Sequence, residues 1–137
     1  MGFRDIGSYL KKVRLETTNK IQPRNYPQKT VINRIENNEN YMIKSLFGYL
    51  DALNHHLCYK NNALHTSADL GEIIKKKIES DNIVIAHLGK SVDLRRKTIY
   101  MLMSGHGNYH SFLSVLEALN IEIDIKKTIK DNEQENE

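Results

Sequence analysis

The sequence predicts an all-α fold made of two tandem copies of one small helical unit. Three observations predict it: an internal repeat in three blocks, apolar residues at helical spacing inside each block, and stop signals at matching places. Residues 6–12 (IGSYLKK) return as residues 70–76 (LGEIIKK), an offset of 64. Ile32 and Ile35 return as Ile99 and Leu102, an offset of 67. Residues 45–54 (SLFGYLDALN) return as residues 111–120 (SFLSVLEALN), an offset of 66. Three blocks repeated in one order imply duplication of a supersecondary unit.

In the first unit Ile6, Tyr9, Leu10 and Val13 form one helical stripe, with Lys11, Lys12 and Arg14 off it. In the second, Leu70, Ile73, Ile74 and Ile78 do the same, and Ser67 or Asp69 is the expected N-cap. Residues 83–91 and 95–104 predict two further helices, the latter with Ile99, Leu102 and Met103 inward. The last helix of each unit ends in Asn54 or Asn120, a residue that tolerates the left-handed stop. Four short helices with a tight turn between the second and third are expected of a helix-turn-helix bundle. The predicted organisation is a first unit over 1–60, a linker over 61–68, a second unit over 69–126 and a disordered acidic tail over 127–137. Period-two alternation adds short strands at 56–59 and 121–125, which pair with each other or with a second molecule.

Between Arg14 and Ile32 lie 17 residues, but between Ile78 and Ile99 lie 20. The missing three fall at the first unit's second helix, where both prolines, Pro23 and Pro27, also stand. Proline costs about 3 kcal/mol inside a helix, so this helix is expected to be shortened and the second unit to be the better formed.

The formal charge is +3, and residues 131–137 hold four acids and no base, so removing those four negative charges leaves +7 on the rest. A basic body suits a polyanion partner. A single cysteine, Cys58, excludes an internal disulfide, and no apolar run or leader-like N-terminus points to a membrane or export, so a cytoplasmic protein is expected.

KTVINRIENNEN followed by a helix ending YLDALN resembles the XRE/Cro (lambda-repressor-like) helix-turn-helix family. The second unit resembles it throughout, and LGKSVDLRRKTIYMLMSGHGNYHSFLSVLEALNIEI is similar to that superfamily's addiction-module antidote proteins. The resemblance implies tandem lambda-repressor-like lobes and double-stranded DNA as partner. It also implies an ion pair between Arg14 and Glu36, whose counterparts at the offsets above are the apolar Ile78 and Met103. Losing only one member would cost roughly 3–5 kcal/mol, so a joint exchange is what a structural repeat requires. Gly89 and Asp93 stand where the family prefers Ala and a turn Gly. Gly89 fits close helix approach, and Asp93 fits a left-handed turn or a cap on the third helix.

A recognition helix meets base edges with its N-terminal residues. In the second unit these are Arg95, Arg96 and Lys97, with Tyr100 one turn on; in the first they are Gln28, Lys29, Thr30 and Asn33. Arg suits guanine, and Gln and Asn suit adenine. Lys90, and more weakly His106 with the backbone near Gly105 and Gly107, suit phosphate. The plain alternative is a solvated helix face. His55, His56, Cys58 and His65 lack zinc-ligand spacing and read as a solvated helix end before a strand; Met101 and Met103 read as core filler. No nucleophile–base pair, acid pair or phosphate loop is present, so neither enzyme chemistry nor a cofactor or metal is expected. The expected function is a sequence-specific DNA-binding transcriptional regulator acting as a repressor. The alternatives are an antitoxin that also binds a toxin protein, and a protein-interaction module whose first unit has lost DNA binding. A homodimer is a further expected partner state.

Overall fold

The computed structural model describes residues 3–16 and 27–128. The proposed shortening of the first unit's second helix, with Pro23, and residues 129–137 of the predicted tail lie outside them. The first two residues of that tail are ordered instead: Lys127 ends the last strand, and the Thr128 amide donates to the Asn54 carbonyl at 2.7 Å. A 3-10 turn (Phe3–Asp5) leads into α1 (Ile6–Glu16), followed by α2 (Lys29–Glu36), α3 (Ile43–Ala52), β1 (His55–Tyr59) and β2 (Asn62–Leu64). Then come α4 (Ser67–Ser80), α5 (Ile85–Val92), α6 (Arg96–Met103), α7 (Tyr109–Ala118) and β3 (Asp124–Lys127). The fold is mainly helical, and the small antiparallel sheet makes it less than all-α. Among the described residues no helix is long and apolar enough to cross a membrane.

The repeat offsets recur in the element boundaries. Adding 67 to the ends of α2 gives the ends of α6, and adding 66 to those of α3 gives those of α7. The residues after the helices match as well: Asn38 and Gly105 both have positive φ, as do Asn54 and Asn120 at 58° and 57°. The cause is shared patterning. Ile32, Ile35, Leu46 and Leu50 are buried, and so are Ile99, Leu102, Phe112 and Leu116. Apolar positions at the same phase turn each helix the same way.

Helix α4 starts at a cap one residue before the first of the two expected positions. Thr66, not Ser67 or Asp69, is the N-cap: its hydroxyl accepts from the Asp69 amide at 3.2 Å, while Asp69 Oδ2 accepts from the Thr66 amide at 3.1 Å. This reciprocal box satisfies two helix-end donors.

Gly7 and Gly71 occupy matching sites where the first helix of each half crosses α2 or α6. A methyl on Gly7 would run into the Ile35 carbonyl, and one on Gly71 would sit 2.5 Å from the Leu102 carbonyl. Residues 35 and 102 are themselves 67 apart, so both halves use one close crossing.

The halves are joined rather than strung apart. Residues 61–68, expected as a linker, mostly form β2 and the first turn of α4. Strand β1 is central, pairing antiparallel with β2 and with β3. The second strand was expected at 121–125 but forms at Asp124–Lys127. Ile121 and Ile123 are buried instead, and the Ile123 carbonyl accepts from the Phe3 amide at 3.1 Å. Buried apolar residues of both halves make one continuous core. Tyr41 and Tyr109, one from each half, stack within it, with centroids 5.0 Å apart and planes 10° from parallel.

Candidate nucleic-acid interface

The basic triplet of the second half lies on a short, well-anchored helix. Helix α5 ends on Asp93, which is left-handed (φ 55°, ψ 47°), and the Leu94 amide returns to the Gly89 carbonyl at 2.9 Å. This backbone pattern stops a helix and reverses the chain. Gly89 makes the reversal possible, because a Cβ there would meet the Leu94 carbonyl oxygen at 2.7 Å. The expected need for a small residue is thus met at a turn carbonyl. Asp93 takes the turn role and not the capping one: the N-cap of α6 is Arg95, without a side-chain cap.

Ile99 and Leu102 of α6 are fully buried. Their anchoring leaves Arg95, Arg96 and Lys97 exposed at the helix start, with Tyr100 half exposed one turn on. None of these four side chains has a hydrogen-bond or ion-pair partner among the described residues. The amides at the start of α6 add the positive end of the helix dipole to this cationic group. Lys90 is exposed in the last turn of α5, the helix that packs on α6. Met101, expected in the core, is 46% exposed on the same helix, whereas Met103 packs against the core.

Gln28 is the N-cap of α2 (φ −65°, ψ 155°), close to Arg95 at the start of α6 (φ −73°, ψ 152°). Gln28, Lys29, Thr30 and Asn33 are all exposed. Arg34, which is not among the residues expected from the sequence, is exposed beside Asn33 and has no side-chain partner among the described residues. Its only signal in the sequence is its place next to Asn33, off the Ile32 and Ile35 stripe.

The loop after α6 offers less to phosphate than expected. The Gly105 amide already donates to Leu102 at 2.9 Å and the His106 amide to Met101 at 2.8 Å. The Gly107 carbonyl accepts from Ile43 at 3.0 Å. The His106 side chain remains exposed.

Behind these helices the Arg14 and Glu36 pair forms as expected, with Arg14 Nε donating to Glu36 Oε2 at 2.6 Å and Nη2 to Oε1 at 3.0 Å. Burial raises the Glu36 carboxyl, but hydrogen bonds from Arg14 and Tyr49 and the charges of Arg14 and Lys11 outweigh it and hold the group below the ordinary carboxylate range. In the second half Ile78 is buried and Met103 packs on the core, as an apolar exchange requires.

A separate cavity of about 700 Å³ is lined in part by His55, His56, His65 and Asp51. His55 is buried rather than solvated: its Nδ1 donates to the Leu53 carbonyl at 2.7 Å, which leaves Nε2 to accept from the Tyr9 hydroxyl at 3.1 Å. Burial, together with the nearby His65, Lys126 and His55, pushes His56 below the ordinary histidine value. No cluster of three His, Cys, Asp or Glu among the described residues is placed to hold a metal. Cys58 is buried and unpaired.

No protein-family model, curated protein or solved structure matches this chain.

Proposed function

We propose that this chain is a sequence-specific DNA-binding regulator that inserts α6 into the major groove, within a tandem helix-turn-helix architecture. One observation carries the reading: Arg95, Arg96 and Lys97 stand exposed, with no side-chain partner among the described residues, at the start of a helix whose inner face is fixed by Ile99 and Leu102. Cations without an acidic partner in the fold around them suit an external polyanion better than internal stability. The αL turn at Asp93 sets α5 against α6, so Lys90 accompanies the triplet as a phosphate-holding charge. The charge of +7 outside the last seven residues points the same way. Such a protein needs no chemistry, and regulation follows from occupying a promoter.

Selection of bound sequences from random duplex DNA with the full chain tests this reading, followed by titration at several salt concentrations. An enriched motif and affinity that falls steeply with salt are expected. No enrichment and a flat salt dependence would refute it and favour a protein-interaction module.

A further inference from the structure

We infer that one chain is a ready-made pair of half-site readers: a single copy binds a two-part, non-palindromic duplex site, one half read by α6 through guanine and the other by α2 through adenine. This rests on the DNA-reading proposal above.

The argument starts from two backbone pairings. Met42 forms an isolated antiparallel bridge with Asn108, which is its own counterpart at the offset of 66. The flanking hydrogen bonds run from the Ile43 amide to the Gly107 carbonyl at 3.0 Å and from the Tyr109 amide to the Tyr41 carbonyl at 2.8 Å. Shifting by 66 exchanges Ile43 with Tyr109 and Tyr41 with Gly107, so each bond maps onto the other. In the sheet Cys58 pairs with Asp124, again 66 apart. A residue that faces its own counterpart in an antiparallel pair lies on a local twofold axis, as in an isologous dimer. Two such pairs, one between the helices and one in the sheet, mark two points on that axis.

A twofold axis sets α2 and α6 at equal height on opposite sides and with opposed directions. Two readers on successive major grooves of one face of a duplex need that relation, with half-site centres about one turn, ~10 base pairs, apart. Where two separate chains do this, their association sets the spacing. Here the shared core sets it: Tyr41 stacks on Tyr109, the Tyr109 hydroxyl donates to the Phe3 carbonyl at 2.6 Å, and β1 pairs with β3.

The two readers differ in chemistry, so the site is not a palindrome. At the offset of 67, Gln28 corresponds to Arg95, Lys29 to Arg96, Thr30 to Lys97 and Asn33 to Tyr100. Gln and Asn match the adenine edge with paired donor and acceptor, and Arg matches guanine O6 and N7.

The test takes the full chain, selects its site from random duplex DNA, and counts chains per bound duplex by native mass spectrometry. One chain per duplex and two dissimilar half-motifs about one turn apart are expected. The Arg95→Ala, Arg96→Ala double variant should relax only the guanine-bearing half and weaken binding ~5- to 150-fold for each base-reading side chain removed. The Gln28→Ala, Asn33→Ala variant should relax only the other half. All four positions are exposed, and unchanged thermal melting of each variant confirms its fold. Two chains on a palindrome, or one short motif indifferent to Gln28 and Asn33, overturns the inference and leaves the DNA-reading proposal standing. The absence of any enriched motif overturns both.

Discussion

Tyr49 donates its phenolic hydrogen to Glu36 Oε2, an oxygen that Arg14 Nε also bonds at 2.6 Å. Offsets of 64, 67 and 66 carry Arg14, Glu36 and Tyr49 to Ile78, Met103 and Val115. A three-member polar cluster in one half has therefore become three apolar residues in the other. Two members of this exchange are legible in the sequence, and the third emerges only from the reach of the α3 side chain to α2.

This cluster should behave as a unit. Arg14→Ala leaves a buried carboxylate without the two N–H donors of Arg14; because Arg14 itself is 37% exposed, the expected cost is about 2 kcal/mol, between surface and buried pairs. Transplanting the second half's residues (Arg14→Ile, Glu36→Met and Tyr49→Val together) should cost less than the three single changes summed, by urea unfolding. A sum equal to the triple would show no coupling, and a sum below it coupling of the opposite sign; either outcome contradicts the expectation. The Glu36 carboxyl lies below its ordinary value in the folded state, so its stabilisation is complete above the ordinary carboxylate range and is lost as pH falls through the lowered one. Acid unfolding of Glu36→Gln should accordingly show a shallower pH dependence.

At the junction of the halves two stacked tyrosines should respond oppositely to loss of their hydroxyls. The Tyr41 hydroxyl is buried without a hydrogen-bond partner among the described residues, and burial pushes its ionisation far up. The Tyr109 hydroxyl donates to the Phe3 carbonyl at 2.6 Å and lies 3.0 Å from the Arg4 carbonyl; burial and Asp5 raise its pKa to about 12. Tyr41→Phe should be neutral or stabilising by ~1 kcal/mol, because it removes an unsatisfied polar group. Tyr109→Phe should cost ~1 kcal/mol by removing the buried hydrogen bond to the Phe3 carbonyl. Thermal melting compares them, and equal destabilisation would contradict the difference in bonding.

Helix phase and stops were legible because they are local: Ile32 and Ile35 announce their buried stripe, and Asn54 and Asn120 their left-handed stops. What joins the halves was not, since it depends on partners distant in sequence. Strand β2 buries only Leu64 of its three residues and carries no alternation to read. Ile121 to Ile125 alternates like a strand, yet its first members pack into the core and strand pairing begins later, at Asp124. For the candidate interface, the exposed starts of α2 and α6 followed from the apolar positions behind them. Their twofold relation required the pairing of Met42 with Asn108.

The α5–α6 turn makes a backbone prediction. Gly89→Ala places a methyl 2.7 Å from the Leu94 carbonyl and should destabilise by ~1–3 kcal/mol, as overpacking does. Asp93 already holds φ 55°, a region glycine enters without penalty. Asp93→Gly should therefore be neutral or stabilising by up to ~1 kcal/mol. Chemical unfolding measures both, and a stabilising Gly89→Ala would mean that the turn is not closed by this backbone approach.

Under the proposed DNA reading, Lys90 is the residue whose substitution separates holding the duplex from reading it. It is exposed on α5, one helix away from the residues proposed to meet base edges, and its ammonium is a point charge suited to phosphate. Phosphates are the same in every sequence, so Lys90→Ala should weaken binding to the selected site and to unrelated duplexes by the same factor. It should also reduce the slope of log affinity against log salt by ~1. Arg96→Ala should do the reverse: a loss of ~1–3 kcal/mol on the selected site, little on unrelated duplexes, and a relaxed base preference. Titrations of both variants against both duplexes across a salt series make the comparison. If Lys90→Ala changes the base preference while Arg96→Ala lowers all affinities alike, α5 rather than α6 faces the bases, and the roles of the two helices are exchanged.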